Sequence, residues 1–186
     1  FGSAARVYWT FKTIGHENVS ILNGGFKGWA NGGNKVATGE NSITPASFKT
    51  KLNKKYFASF SEVQKAQKGK GQQCLIDARP AAFFTGDKKH AKARIPGRLA
   101  NARNLQEGNL IDDSFKMKPS SAIKSQFGGL DGVEQYKGYI SYCNTGHWAA
   151  TVWFGLSEIA QIPNVKMYDG GMTHWTSNPK RKVDLG

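Results

Sequence analysis

The sequence predicts an α/β protein built as three layers, with helices covering both faces of a parallel sheet. Two short apolar runs, Cys74–Ala78 and Tyr139–Cys143, have the pattern of strands that are buried on both faces. Segments with helical sequence patterns alternate with such runs, and parallel strands are usually joined by helices. The chain has 186 residues, of which 39% are hydrophobic, and this is enough for one full core.

The elements can be assigned in chain order. Residues 55–59 have the composition of a short edge strand. Ser61–Gln64 matches a capping box, which predicts the start of a helix that ends near Lys68. The remaining elements are strands at Cys74–Ala78, near Leu99, at Tyr139–Cys143 and at Val165–Asp169, and helices that start near Pro119 and near His147.

Part of the sequence occurs twice. Residues 3–29, here called the first copy, align with residues 148–175, the second copy, if one residue is inserted between their halves. Each copy contains two alanines, a valine, an Asn-Val pair, a Gly-Gly pair and a closing tryptophan. Each therefore predicts a helix, a turn, a strand and a short second helix. For the first copy, this places a helix at 4–14 and a strand at Val19–Leu22.

The repeat also predicts the domain organisation. The first copy has no counterpart of the sequence that precedes the helix of the second copy. We therefore expect residues 1–35 to be the C-terminal part of one module, residues 36–55 to be a linker, and residues 56–186 to be a complete second module.

Such a partial module would leave surfaces uncovered. Its strand would have unpaired edges, and four apolar side chains of its helix would have no sheet to pack against: Val7, Trp9, Phe11 and Ile14. We therefore expect this segment to pair with another polypeptide, either N-terminal sequence of the same protein or a swapped neighbour.

The chain is strongly basic, with a formal net charge of +13 and a pI of about 9.8. This charge is explained either by lysines exposed to solvent or by an anionic small-molecule substrate that the positive field attracts. Nucleic acid is not an expected partner, because no zinc-ligand spacing, RNA-binding aromatic signature or basic-zipper pattern accompanies the lysines. No apolar stretch reaches the length of about 18 residues that a membrane-spanning helix needs, so no membrane partner is predicted.

The two cysteines and four histidines restrict the chemistry. Two cysteines make a disulfide framework implausible, and Cys74 lies inside an apolar run, which is typical of a core residue. The histidines are far apart in the sequence and form no metal-ligand pair. The sequence therefore predicts neither a metal site nor a bound cofactor.

Cys143 lies where a predicted strand ends and a predicted helix begins. The segment Asn144–Trp148 is short enough for its backbone N–H groups to curl around one anion, and Gly146 permits the backbone angles that this needs. A helix N-terminus carries roughly half a positive charge and favours a thiolate over a thiol. Cys143 is therefore the predicted nucleophile, with a lowered pKa and with the N–H groups of residues 145–148 directed at its sulfur.

Four segments resemble, in their order and spacing, the rhodanese family of sulfurtransferases, and specifically its tandem two-domain members. They are the Asp-x-Arg segment Ile76–Gly86, the Ile-Pro-Gly segment Arg94–Leu105, the cysteine segment Tyr142–Ala150 and the closing segment Val165–Trp175. The resemblance covers nearly the whole chain. It implies a rhodanese-like fold for the complete module, preceded by the end of a first module that lacks a working cysteine.

The resemblance also implies an activity, in which a sulfur atom is carried as a covalent persulfide on Cys143. The donor would be thiosulfate or a related anion, and the acceptor would be cyanide or a thiol. Arg79, in the Asp-x-Arg segment, would either bind the substrate or tie the strand end to backbone. The loop residues that would bind the substrate are Asn144, Thr145, Gly146, His147 and Trp148.

The cysteine loop departs from two groups of the family. Thiosulfate-type loops resemble Cys-Arg-Lys-Gly-Val-Thr and mercaptopyruvate-type loops resemble Cys-Gly-Ser-Gly-Val-Thr, whereas this loop reads Cys-Asn-Thr-Gly-His-Trp. Many relatives also carry an arginine at the position of Phe83, so the donor stays open. A similar loop in periplasmic relatives favours export, with the cytoplasm as the alternative. The cations that could compensate are Lys88, Lys89, His90, Arg94 and Arg98.

Two other functions are compatible with a cysteine at a strand end. A phosphatase needs an arginine six residues after the cysteine to grip the phosphate oxygens, and this chain has Ala149 there. A non-catalytic sulfur-relay or binding module is the alternative to the enzyme, and the presence of Cys143 counts against it.

Overall fold

The centre of the structure is a four-stranded sheet in the order β2-β1-β3-β4, in which all three pairings are parallel. The computed structural model describes residues 1–186. A single parallel bridge between Phe57 and Met167 continues the sheet beyond β4, so the edge strand predicted at 55–59 is reduced to one residue pair. The α/β class with a parallel sheet is confirmed. The strands are β1 (Gln73–Asp77), β2 (Ala102–Asn104), β3 (Gly138–Tyr142) and β4 (Val165–Met167).

Seven α-helices accompany the sheet. The helices predicted near Pro119 and His147 are confirmed, whereas α4 was not predicted because five residues are too few for a periodic pattern. The last turn after α6, Gly155–Ile159, is a π-helix. None of the helices combines the length and the apolar character that crossing a membrane requires. The helices are α1 (Gly2–Thr13), α2 (Gly25–Asn31), α3 (Phe60–Gln67), α4 (Ala81–Thr85), α5 (Ser120–Gly128), α6 (His147–Phe154) and α7 (Gly171–Ser177).

The capping box of α3 lies two residues earlier than predicted. The Glu62 N–H donates to Ser59 Oγ at 3.3 Å, and the Ser59 N–H donates to Glu62 Oε2 at 2.8 Å. Both Ser59 and Ser61 precede a carboxylate or amide by three residues, but only Ser59 has the extended backbone of an N-cap. The predicted box at Ser61–Gln64 was therefore wrong in register, while the predicted helix is confirmed.

The sheet separates two hydrophobic clusters, one on each face. Along β1, Cys74 and Ile76 belong to the larger cluster and Leu75 to the smaller one. Along β3, Ile140 and Tyr142 face the smaller cluster. Neighbouring residues of a strand point to opposite faces, so a strand buried on both faces is apolar throughout, as these runs are. Each such buried side chain contributes about 1.5–3 kcal/mol of transfer free energy.

The first copy is attached to the larger cluster through α1, which confirms the helix predicted there. The ring of Tyr8 meets that of Phe154 edge-on at 5.0 Å, and Trp9 Nε1 donates to the Tyr56 carbonyl at 3.0 Å. Trp9 was expected to lack a burying surface, and this was wrong, because Tyr56 and Phe57 lie against it. Val7 and Phe11 are exposed, as expected, and Ile14 is half-buried.

The strand predicted at Val19–Leu22 does not form. A strand needs a neighbour for its N–H and C=O groups, and no strand of the sheet lies beside these residues. Between α2 and α3 the chain contains no helix or strand.

Candidate active site

The cysteine loop, residues 143–148, leaves the carboxyl end of β3 and enters α6. The neighbouring strand β1 ends at Asp77, which lies in register with Tyr142, the last residue of β3. On the other side the Tyr168 N–H donates to the Ser141 carbonyl at 2.9 Å, which fixes the segment that follows β4. The carboxyl ends of three strands therefore surround Cys143, at the edge where parallel sheets bind their ligands.

The sulfur of Cys143 accepts a hydrogen bond from the Gly146 N–H at 3.0 Å. Gly146 has a φ of 97°, in the left-handed region that a side chain would disfavour. The N–H groups of Thr145 and Ala149 also act on the sulfur. The predicted arrangement, in which the N–H groups of residues 145–148 turn toward the sulfur, is present as a hydrogen bond only at Gly146.

Burial raises the pKa of the Cys143 thiol, although the N–H groups of Ala149, Thr145 and Gly146 act to lower it. The predicted lowering of this pKa was therefore wrong. The residue is 1% exposed. Removing water destabilises the thiolate by more free energy than these hydrogen bonds supply. Asp77 acts in the same direction as burial, because its negative charge repels a second one.

Arg79 lies beneath the loop and holds it to the end of β1. Its Nε donates to Asp77 Oδ1 at 2.9 Å, and its Nη2 donates to Asp77 Oδ2 at 2.6 Å. Nη2 also donates to the Gly97 carbonyl at 3.0 Å, and Nη1 donates to Asn144 Oδ1 at 3.4 Å. Arg79 and Asn144 are both buried, so Asn144 connects the loop to this ion pair.

The outer face of the loop consists of Thr145, His147 and Trp148. Thr145 and His147 are exposed, and Trp148 is half-buried. The ring of Trp148 lies 5.9 Å from that of Phe83 on α4, with the two planes inclined at 62°. An aromatic pair therefore borders the mouth of the loop, and position 83 supplies no cation there.

Three of the cations proposed as replacements are engaged elsewhere. Arg94 Nε donates to the Thr176 carbonyl at 3.1 Å, and Arg98 Nη1 donates to the Phe84 carbonyl at 3.2 Å. Lys89 Nζ donates to the Ala93 carbonyl at 2.8 Å. Lys88 is exposed, and His90 Nδ1 accepts from the Lys92 N–H at 3.2 Å.

A second arginine beside the loop was not anticipated. Arg6, on α1 of the first copy, forms an ion pair with Asp169, and a Cβ added to Gly146 would collide with Arg6 Nη1. Asp169 is the last residue of the strand predicted at Val165–Asp169, and it follows the observed β4. The sequence carries one relevant signal, a face of α1 formed by Gly2, Arg6 and Trp9 at helical spacing.

The fold and the loop define a class: an α/β module that presents one cysteine at the carboxyl end of a parallel strand, beside a helix N-terminus. The model of the Rhodanese-like domain family matches residues 59–178. The chain belongs to this family.

Two curated relatives are about equally similar to the chain. It is 31% identical to 3-mercaptopyruvate sulfurtransferase of Escherichia coli strain K12, over 98% of the chain and 64% of the relative. It is 30% identical to thiosulfate sulfurtransferase of Gallus gallus, over 97% of the chain and 62% of the relative. The chain therefore spans less than two thirds of the length of these relatives.

The same fold occurs in solved structures. The anaerobic ergothioneine biosynthesis enzyme from Chlorobium limicola, in complex with trimethyl histidine, matches the whole chain with a TM-score of 0.86. The match covers 45% of that enzyme at 18% identity, so it shows the shared fold alone.

Proposed function

We propose that the protein is a sulfurtransferase that carries a sulfur atom as a persulfide on Cys143. The observation that carries this proposal is the Gly146 N–H, which points at the Cys143 sulfur from 3.0 Å in a loop at a strand end. Membership of the rhodanese-like family and relatives named as sulfurtransferases support it. The same N–H groups that meet the thiol would stabilise an anionic sulfur.

In the first half-reaction, the Cys143 thiolate attacks the outer sulfur of thiosulfate. A bond forms between the two sulfur atoms, the sulfur–sulfur bond of thiosulfate breaks, and sulfite leaves with the electron pair. The product is a cysteine persulfide anion, so the total charge is conserved. This is covalent catalysis, in which one transfer is divided into two easier steps.

In the second half-reaction, a thiophilic acceptor takes the outer sulfur. Cyanide attacks it, thiocyanate forms, and the bonding electrons return to Cys143 as a thiolate. Because the pKa of the thiol is raised in the substrate-free site, the rate of the first half-reaction should rise with pH as the thiolate fraction grows.

Cys143→Ser tests the nucleophile, with Cys74→Ala as the matched control. The serine variant should lose sulfur transfer, because its oxygen is far less nucleophilic and forms no persulfide. Cys74 is buried in β1, and its removal should cost about 1 kcal/mol or less of the free energy of unfolding if the packing adjusts, with activity retained.

The readout is thiocyanate production together with the mass of the protein after exposure to thiosulfate. The wild type and Cys74→Ala should gain one sulfur atom, located on the peptide that contains Cys143. Substantial turnover by Cys143→Ser would refute the mechanism. A persulfide that forms without turnover would favour the sulfur-relay alternative.

The aromatic pair at the loop mouth suggests the preference among donors. Phe83 and Trp148 present apolar surface where an arginine would grip a carboxylate, so we expect weak turnover of thiosulfate and weaker turnover of 3-mercaptopyruvate. Phe83→Arg should raise kcat/KM for 3-mercaptopyruvate about tenfold relative to wild type. Phe83→Leu is the control, because it removes the ring without adding a charge. An equal change of kcat/KM in both variants would contradict a role for the added charge.

A further inference from the structure

Arg6 reaches the cysteine loop from the first copy. Gly2 and Arg6 are four residues apart on α1, so they lie on the same face of this helix. A Cβ added to Gly2 would lie 3.4 Å from the His147 carbonyl oxygen, and one added to Gly146 would collide with Arg6 Nη1. Two successive residues of the loop therefore lie directly against α1.

Arg6 is held in this position from two sides. Its guanidinium carbon lies 5.0 Å from the ring centre of Trp9, which is 4% exposed and anchored through the Tyr56 carbonyl. The other side of the guanidinium forms the ion pair with Asp169, which follows β4. A guanidinium fixed by a buried ring and a carboxylate loses less entropy on contact than a free surface arginine.

The ion pair covers the residue that donates to the sulfur. Gly146 is in the left-handed conformation and its N–H is directed at Cys143 Sγ, while a Cβ at Gly146 would also lie 3.2 Å from Asp169 Oδ1. We propose that the Arg6–Asp169 ion pair is a positioning element that keeps the Gly146 N–H directed at the sulfur. Its kinetic consequence rests on the proposed sulfurtransferase activity, whereas its effect on the thiol does not.

The charged and titratable groups near the sulfur allow two explanations of the effect of the ion pair to be distinguished. Asp77 ends β1 and Arg79 follows it, His147 lies in the loop, and the Arg6–Asp169 pair lies against Gly146. If Arg6 and Asp169 acted as bare charges, removing them would shift the pKa of Cys143 in opposite directions. If they position the Gly146 N–H, each removal weakens the same hydrogen bond and raises this pKa.

The experiment compares Arg6→Gln, Asp169→Asn and the double variant with wild type. The control is Lys12→Gln on the same helix as Arg6, which breaks an ion pair with Glu17 away from the loop. The rate of Cys143 alkylation by iodoacetamide is measured against pH, using the mass of the peptide that contains Cys143. Thiocyanate production from thiosulfate and cyanide gives kcat/KM.

Each single variant should raise the pH midpoint of alkylation by about 0.5–1 unit, since a hydrogen bond to the thiolate is lost. Each should lower kcat/KM by about tenfold, because a donor to the reacting sulfur is misplaced. The double variant should be no worse than either single one, because both changes break the same pair. The control should match wild type in both measurements.

Opposite shifts in the two single variants would overturn the proposal in favour of a simple charge effect. Unchanged midpoints with lowered melting temperatures would overturn it in favour of a purely structural role. The alkylation midpoint is read without any sulfur transfer. A failure of the proposed function, seen as turnover by Cys143→Ser, is therefore distinguishable from a failure of this inference.

Discussion

The two copies of the repeated segment have similar sequences but different surroundings. In the second copy, every residue from Ala149 to Phe154 is buried, and the following strand pairs with β3. In the first copy, α1 buries one face only, and residues 19–22 form no strand. The same pattern therefore produces a complete α/β unit only where the rest of the sheet stands beside it. Tertiary context, more than local propensity, decides whether an extended segment becomes a strand.

The closing tryptophans sharpen this comparison most. Trp175 Nε1 donates to the Lys182 carbonyl and Trp29 Nε1 donates to the Lys35 carbonyl, both at 2.9 Å, yet Trp175 is 3% exposed and Trp29 is 42% exposed. Replacing either tryptophan by alanine removes the same kind of hydrogen bond. A difference between the two variants in the free energy of unfolding therefore measures the effect of burial.

We expect Trp175→Ala to lower the free energy of unfolding by about 3–5 kcal/mol, as for other buried aromatic truncations. Trp29→Ala should cost about 1 kcal/mol or less. Urea unfolding monitored by circular dichroism measures both. Equal losses would mean that Trp29 is as important to the core as Trp175.

The Gly-Gly pairs give the second contrast. Gly25 and Gly171 both have a φ near 60°, at 60° and 56°. A Cβ on Gly171 would lie 2.6 Å from the Cys143 carbonyl oxygen and 2.5 Å from that of Asn144, whereas a Cβ on Gly25 would meet nothing within 4 Å. The φ angles of Gly25 and Gly171 are nearly the same, whereas their surroundings differ.

Gly171→Ala should therefore cost about 2–4 kcal/mol and disturb the cysteine loop, because backbone oxygens must move. Gly25→Ala should cost about 1 kcal/mol, the penalty of a left-handed alanine. Thermal melting and thiocyanate production compare the two variants. Normal turnover in Gly171→Ala would show that the loop tolerates this displacement.

The smallest contrast concerns β4, the strand that has no counterpart in the first copy. Lys166 of β4, which aligns with Ser20 of the first copy, donates from Nζ to Glu62 Oε1 at 2.6 Å. Although burial acts to raise the pKa of Glu62, Lys166 and Ser59 lower it to about 2 from its ordinary 4.5. A lowered carboxyl pKa stabilises the fold above the ordinary value, and this contribution disappears as the pH falls toward 2.

Lys166→Ser, which gives β4 the residue of the first copy, should cost about 1 kcal/mol at pH 7 because the pair is partly exposed. The difference from wild type should shrink as the pH falls from 4.5 toward 2. Lys65→Ser, an equal loss of charge at an exposed position of α3, is the control. A loss that is independent of pH would assign the role of Lys166 to packing.

The features that could be read from the sequence are local. The strands at Cys74–Ala78 and Tyr139–Cys143 were predictable because burial on both faces requires a continuous apolar run. The position of Cys143 followed from its place between a strand and a helix. The capping box slipped by two residues because Ser59 and Ser61 offer the same spacing, and only backbone geometry distinguishes them.

The features that could not be read depend on distant segments. Arg6 and Asp169 are more than 160 residues apart in the chain, and no local pattern predicts that they meet. The pKa of Cys143 is a balance between burial and amide donors, and burial depends on how the whole sheet and α1 close around the sulfur. The burial of Trp9 against Tyr56 likewise depends on a contact between residues 47 positions apart in the chain.

The π-helical turn after α6 lies in the interval where the second copy is one residue longer than the first. The extra residue of the second copy lies between Val152 and Asn164, and the π turn Gly155–Ile159 falls inside this interval, with the Ala160 N–H bonded to the Gly155 carbonyl five residues back. An added residue in a regular α-helix would rotate everything after it by about 100°. A wider turn absorbs the residue locally. In this chain the wider turn also carries Glu158, which accepts from Tyr8 Oη at 2.7 Å, so this turn contributes a contact between the two copies.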